Sequence, residues 1–358
     1  MWPDRRLIDL FGIKHPILLA PMAGAMNVDL AVAVAEGGGL AALPCAMLSA
    51  EQVREQVADF RSRTNGPINL NFFNHTPPVL NNAREVAWRE RLAPFYRELR
   101  IDPAAPVASA NRRPFDAEML EAVRQVEPEV ISFHYGMPKG ELLRELKRLP
   151  IQILCSATTR AEAKAVEEQG AHVVIAQGLE AGGHRGTFLS QDPETQVGTF
   201  ALVPQVVDAV RIPVIAAGGI ADGRGIAAAF ALGASGVLLG TAYLFTPEAK
   251  IAAPFRAALA AAEPETTITN VFTGRLARGL SNRIIREVGP VAPEAPDFPL
   301  AAGAVAPLRA AAEKQGSGDF SPMWAGQAVA LGRTAGAAEL TETLARDALE
   351  RLRALAAS

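Results

Sequence analysis

Along this chain short runs of apolar residues alternate with longer amphipathic stretches, the pattern of a parallel sheet wrapped by helices. The apolar runs predict strands at Ile17 to Ala20, Leu40 to Leu43, Ile68 to Asn71, Val130 to Phe133, Ile151 to Leu154, Val173 to Ala176, Val214 to Ala217 and Gly236 to Leu239. Eight such runs are the number that closes a barrel. Helices are expected between most of them. At Ser49 to Ser62, Ser49 can cap the first turn and Gln52 can complete a capping box. At Thr159 to Gln169, Gly170 can take the left-handed conformation that ends a helix. The fold class read from this order is α/β, a (β/α)8 TIM barrel.

Two regions exceed a minimal barrel. Asn74 to Arg113 holds Pro77, Pro78, Pro94, Pro103 and Pro106 and separates the third strand from its crossover helix by too many residues. It reads as an inserted, partly helical cap on the C-terminal side of the strands. From Phe245 onward a proline-rich stretch, Pro290 to Pro299, precedes helical segments at Ala304 to Lys314 and Leu340 to Leu355. The expected organisation is a barrel from 1–73 and 114–245, an inserted segment at 74–113, and a mainly helical C-terminal extension at 246–358 packing on the barrel mouth.

Composition narrows the function. With 358 residues, 49% hydrophobic and 20% charged, the chain suits one large core with an appendage. A net charge of -3 leaves no broad basic surface, so nucleic-acid binding is unsupported and a small-molecule partner is expected. Cys45 and Cys155 lie in apolar runs without metal-ligand spacing, so no metal is expected. Met1 to Leu10 lacks the uninterrupted apolar stretch of a signal peptide or membrane span, and the expectation is a cytoplasmic protein.

Barrels carry their chemistry at the C-terminal ends of the strands. After the seventh run comes Gly218-Gly219-Ile220 and after the eighth Gly240-Thr241, where backbone N–H groups can converge on a phosphate. Either glycine pair alone is best read as a tight turn; together, at the usual phosphate position of a barrel, they point to a phosphate site. The stretch Gln177 to Gly186 after the sixth run reads as an active-site loop. There the Gln177 amide can bond a heterocycle, and Gly182 and Gly183 let backbone pass close against a flat ligand. His184 can then serve as general base or as a donor to a developing anion. Arg185 either neutralises an anionic ligand or makes a surface ion pair. Ala20, Pro21 and Met22 would place backbone and a flexible thioether against a planar ring. Asn71 can hold a phosphate or ring oxygen, or make only a local turn bond. His134 is a second histidine candidate, with a structural role as the alternative.

Taken together, APMAG at 20–24, NFF at 71–73, SFHYG at 132–136, QGLEAGGHRG at 177–186, PVIAAGGIADGRG at 213–225 and LGTAY at 239–243 resemble the nitronate monooxygenases, formerly called 2-nitropropane dioxygenases. GRLARGLSNRIIRE at 274–287 and the run Trp324-Ala325-Gly326-Gln327 resemble that family's first class, so the likeness spans most of the chain. The resemblance implies a non-covalent FMN, with Met22, Asn71, Gln177, Gly182, Gly218, Gly219, Gly240 and Thr241 matching flavin-contacting positions, and the residue reading adds Ala20, Pro21 and Gly183 to the expected cofactor-binding set. It implies that His184 is the catalytic histidine; His134, Arg185 and Gln327 are the remaining candidates, for supporting or substrate-side places. The implied reaction oxidises an alkyl nitronate with O2 to a carbonyl compound and nitrite. His184 would first deprotonate a neutral nitroalkane, or only position an ionised nitronate. One departure stands out: first-class members commonly carry tyrosines and a lysine in the proline-rich segment, whereas Pro293 to Ala306 contains neither. Rival readings on the same cradle are NADH-dependent quinone reductases, enoyl-acyl-carrier-protein reductases and a flavin-binding protein without turnover.

Overall fold

A computed structural model describes residues 1–102, 112–261 and 263–357. Its strands, in chain order, are β1 (Ile17–Leu19), β2 (Ala41–Pro44), β3 (Ile68–Phe73), β4 (Val130–His134), β5 (Gln152–Ala157), β6 (Val173–Gln177), β7 (Gly183–His184), β8 (Val214–Ala217), β9 (Gly236–Leu239), β10 (Thr266–Thr269) and β11 (Ala277–Leu280). All but β7, β10 and β11 form one eight-stranded parallel sheet, in the order β1-β9-β8-β6-β5-β4-β3-β2. The sheet closes on itself, because Leu19 N–H donates to Leu40 O and Leu40 N–H to Ile17 O, each at 3.0 Å. The eight expected strands are thus the barrel staves. Five of them, β2 to β6, run one to three residues beyond the expected C-terminal ends, because mouth residues continue the ladder.

Alternation along the staves separates two cores. Leu18, Val130, Leu154, Val173, Ile175, Ile215 and Ala217 fill the lumen with Leu7, Phe11 and Ile13 from the first helix, Arg6–Phe11, and its exit. Ile17, Leu19, Leu70, Ile131, Val174, Ala176 and Val237 face outward against the helical ring. The same parity carries Asn71, Ser132, His134, Ser156 and Gln177 inward at the C-terminal ends, where the lumen becomes polar. Helix Ala50–Arg63 has the expected capping box between Ser49 and Gln52, with bonds of 3.2 and 2.9 Å.

A second core lies outside the barrel. Trp88, Leu92, Phe95 and Tyr96 of helix Asn82–Glu98 pack with Ala301, Ala304, Val305 and Leu308 of helix Ala301–Lys314 and with Phe272 and Ile285. Two bonds tie these helices, Tyr96 OH to Ala304 O at 2.6 Å and Trp88 Nε1 to Ala301 O at 3.2 Å. The segment 74–113 and the proline-rich region thus meet. Residues 103–111 of that segment, with Pro103 and Pro106, lie outside the described residues.

β10 and β11 pair antiparallel and add to β7, so the mainly helical region also carries a hairpin. The expectation that all of 246–358 packs over the mouth needs one correction. Helix Ala337–Ala357 does not cap the mouth. It packs in the barrel wall against helices Val28–Glu36 and Gly223–Ala231, the place of the eighth barrel helix. Small residues permit that approach: a Cβ on Gly223 would lie 2.7 Å from Ala348 N. Thr341 Oγ1 also bonds Tyr243 OH at 2.8 Å. Among the described residues no helix is long and apolar enough to cross a membrane.

Candidate active site

The loop after β6 is held from beneath by two side chains. Gln177 uses both ends of its amide on the loop backbone: Nε2 donates to His184 O at 2.9 Å and Oε1 accepts from Gly186 N–H at 2.8 Å. These bonds shape the loop through one N–H and one oxygen lone pair of the amide, which keeps its second N–H and second lone pair. Arg185 is 1% exposed, so neither a surface ion pair nor an anion-facing cation describes it. Its guanidinium donates to Gly178 O and Gln177 O at 2.7 Å each and to Gln196 Oε1 at 3.1 Å. Burial pushes it down to about 10, still protonated at neutral pH. Arg185→Leu would leave three acceptors without their donor. It should cost about 3 kcal/mol or more, read as a lower denaturation midpoint; an unchanged midpoint would refute the anchoring role.

These anchors present His184 on β7, paired with Ala277 of β11. The His184 ring is half-buried among Phe298 and Trp324, both at 5.3 Å between centroids, Phe73 at 6.3 Å and Tyr135 at 6.4 Å. Its Nε2 lies 2.9 Å from Thr273 Oγ1. Burial, then the Arg112 guanidinium, His134, Arg275 and His75, hold it well below the ordinary imidazole range, so it is a neutral, proton-accepting ring at physiological pH. His134 is the structural partner. Its Nδ1 bonds Ser156 Oγ at 2.6 Å and its Nε2 bonds His184 O at 3.1 Å. Because a carbonyl only accepts, Nε2 carries the proton, and burial keeps the ring neutral down to about 3.

Burial similarly pushes His75 down to about 4. A histidine whose folded value lies below its free value of 6.5 contributes stability that is complete above about pH 6.5 and lost as the pH falls toward the folded value. For His75 the window is about 6.5 to 4, and the full contribution is on the order of 3 kcal/mol. The thermal midpoint of the wild type should therefore fall through that window more steeply than that of His75→Gln. Parallel curves would show that His75 does not set the acid limit.

Across the mouth lie the glycine turns. Gly218 and Gly219 follow β8 with φ of +105° and +71°, a left-handed pair closed to other residues without strain. A Cβ on Gly218 would meet Ala181 N at 2.8 Å. Gly240 and Thr241 follow β9 at the start of a short 3-10 turn, Thr241–Phe245, and Gly240 abuts Ala20 and the Met22 thioether. Among the described residues the N–H groups of Gly218, Gly219, Gly240 and Thr241 donate to no protein acceptor. Four free amides on two adjacent staves, with glycine where a Cβ would intrude, fit a phosphate.

Residues 4–347 match the family described as nitronate monooxygenase. The chain belongs to that family. It is 40% identical over 345 residues to a protein named nitronate monooxygenase from Pseudomonas aeruginosa, covering 96% of this chain and 98% of the relative. Among solved structures it resembles a nitroalkane oxidase from Streptomyces ansochromogenes, with a TM-score of 0.89 and 38% identity over 98% of this chain and 99% of that one. FabK from Thermotoga maritima is more distant, with a TM-score of 0.75 and 27% identity over 100% and 99% of the two chains.

In this family member the expected residues divide by position. Ala20, Met22 and Gly240 are neighbours, with Pro21 beside them, and Gly182 abuts Gly326, whose N–H donates to Thr241 Oγ1 at 2.8 Å. Asn71 lies inward at 7% exposure, its Nδ2 donating to Ser132 Oγ at 2.9 Å. Gln327 is exposed, and only its backbone joins the loop, donating to Glu180 O at 2.9 Å. Roles for Thr273, Arg275, Tyr135, Phe298 and Trp324 had not been assigned. The motif runs at 132–136, 274–287 and 324–327 contain Tyr135, Arg275 and Trp324, so proximity to His184 was the missing information.

Proposed function

We propose that this enzyme oxidises alkyl nitronates with O2 to carbonyl compounds and nitrite, using FMN bound between the glycine turns and His184. The observation that carries the reading is the placement of a neutral, aromatic-walled histidine across the barrel mouth from four free amides. The amides of Gly218, Gly219, Gly240 and Thr241 would hold the phosphate, and Met22, Asn71 and Gly182 would border the ring. Bound there, FMN would supply the electron acceptance and return to O2 that no side chain of the site can perform.

The chain's own residues account for the rest. With Nε2 engaged by Thr273, Nδ1 is the His184 atom left to take the proton α to a nitro group. The rings of Phe73, Phe298 and Trp324 keep water from the carbanion side. Arg112 and Arg275, the cations that depress His184, favour an anionic nitronate in the same space. The test is to record the visible spectrum of the purified protein and mix it anaerobically with propionate 3-nitronate or with NADH. Bleaching by the nitronate supports the reading. Bleaching by NADH alone would make the protein a reductase, and a colourless protein that FMN cannot reconstitute would end the flavin assignment.

A further inference from the structure

Tyr135 directly follows β4 with a φ of +74°, a left-handed conformation rare for an aromatic residue and costing about 1 kcal/mol or more. The strain brings its ring into the wall of the site, 4.9 Å from Phe73, 5.5 Å from Phe298 and 6.4 Å from His184. Tyr135 is 4% exposed, and among the described residues its hydroxyl has no hydrogen-bond partner. Burial raises the phenol, so the hydroxyl stays protonated and is a donor. Two more buried polar atoms that lack partners among the described residues belong to the side chains around it. Arg275 places Cζ 3.8 Å over the Tyr135 ring, and its Nε is unpaired although Nη2 bonds Thr187. His75, 5% exposed, lies 6.2 Å from the Tyr135 ring and 4.9 Å from Phe298, with Nδ1 unpaired.

An unpaired buried donor costs roughly 1–3 kcal/mol, so a cluster of such atoms persists where a ligand satisfies them. Two are fixed donors, one on a guanidinium, and Arg112 adds a cation 5.7 Å over Phe298. That chemistry recognises an oxyanion.

We propose that Tyr135 is a substrate-binding residue whose hydroxyl, with Nε of Arg275, donates hydrogen bonds to an oxyanion of the substrate beside His184. The assignment rests on the nitronate reading above. The oxyanion is either the nitro group or a carboxylate at the far end of the molecule.

The experiment compares wild type with Tyr135→Phe, which keeps the ring and removes one oxygen, on ethyl nitronate and on propionate 3-nitronate. KM should rise about 10-fold or more, by a larger factor than kcat falls, with the bound-flavin spectrum unchanged. A rise for both substrates assigns the contact to the nitro group; a rise for propionate 3-nitronate alone assigns it to the carboxylate. A structural role predicts a lower thermal midpoint, whereas deleting an unpaired hydroxyl leaves the midpoint unchanged or raises it. Arg275→Lys, which keeps a charge but loses Nε, should shift KM in the same direction. Unchanged KM in both variants for both nitronates overturns the proposal. Should the wild type oxidise neither nitronate, the functional reading fails separately. The subsite is then read by stabilisation with sodium propionate or sodium nitrate, present in wild type and lost in Tyr135→Phe; equal stabilisation of both proteins, or of neither, overturns it.

Discussion

Replacing His184 with asparagine slows oxidation of a neutral nitroalkane by about 10²- to 10⁴-fold, the range for loss of a positioned general base. Asparagine keeps a polar group where Thr273 Oγ1 lies 2.9 Å from the imidazole, and the backbone pairing of β7 with Ala277 is untouched, so the loop stays in place. The bonds from Gln177 and His134 to the residue-184 carbonyl also survive the change. The loss should therefore appear in proton abstraction and not in flavin retention. A nitronate supplied already ionised needs no base, and its oxidation should fall by a smaller factor. Oxygen consumption with nitroethane and with ethyl nitronate separates the two cases. Equal turnover of nitroethane by wild type and variant would remove His184 from the proton-transfer role.

Gly218→Val should yield a folded protein that does not retain flavin. The residue sits at φ of +105°, where a β-branched side chain is strained, and its Cβ would lie 2.8 Å from Ala181 N and 3.0 Å from Ala181 Cβ. Backbone cannot yield to such contacts as a flexible side chain can, so the turn itself must move. Strain and overpacking together amount to roughly 2–6 kcal/mol, concentrated on one turn of the cradle and outside the stave interior. Far-UV circular dichroism should remain that of the wild type while the visible spectrum disappears. A yellow Gly218→Val protein with normal FMN affinity would show that this turn does not hold the phosphate.

The barrel was legible because each stave is buried on both faces, which writes a parallel strand as a continuous apolar run. The site was legible where glycine and histidine fall at stave ends, as at Gly218, Gly240 and the loop through His184. Arg185 was not, because its charge suggests solvent while three backbone and amide oxygens satisfy it inside. The hairpin of β10 and β11 was missed because TTIT and ARGL are short, and Arg278 occupies a buried position with bonds to Leu179 and Thr266. The aromatic enclosure draws on Phe73, Tyr135, Phe298 and Trp324, four distant segments whose meeting no local periodicity encodes.

Helix Ala337–Ala357 carries a consequence for how the molecule is made. The gap it fills, between the first and seventh helices of the ring, is left open when β9 ends at Leu239, and nearly a hundred residues intervene before its plug is synthesised. A nascent chain emerging from the ribosome therefore holds an incomplete wall until the hairpin, the proline-rich segment and the Trp324 run have all been produced. Completion of the helical wall waits on the cap, which couples assembly of the catalytic enclosure to completion of the scaffold beneath it.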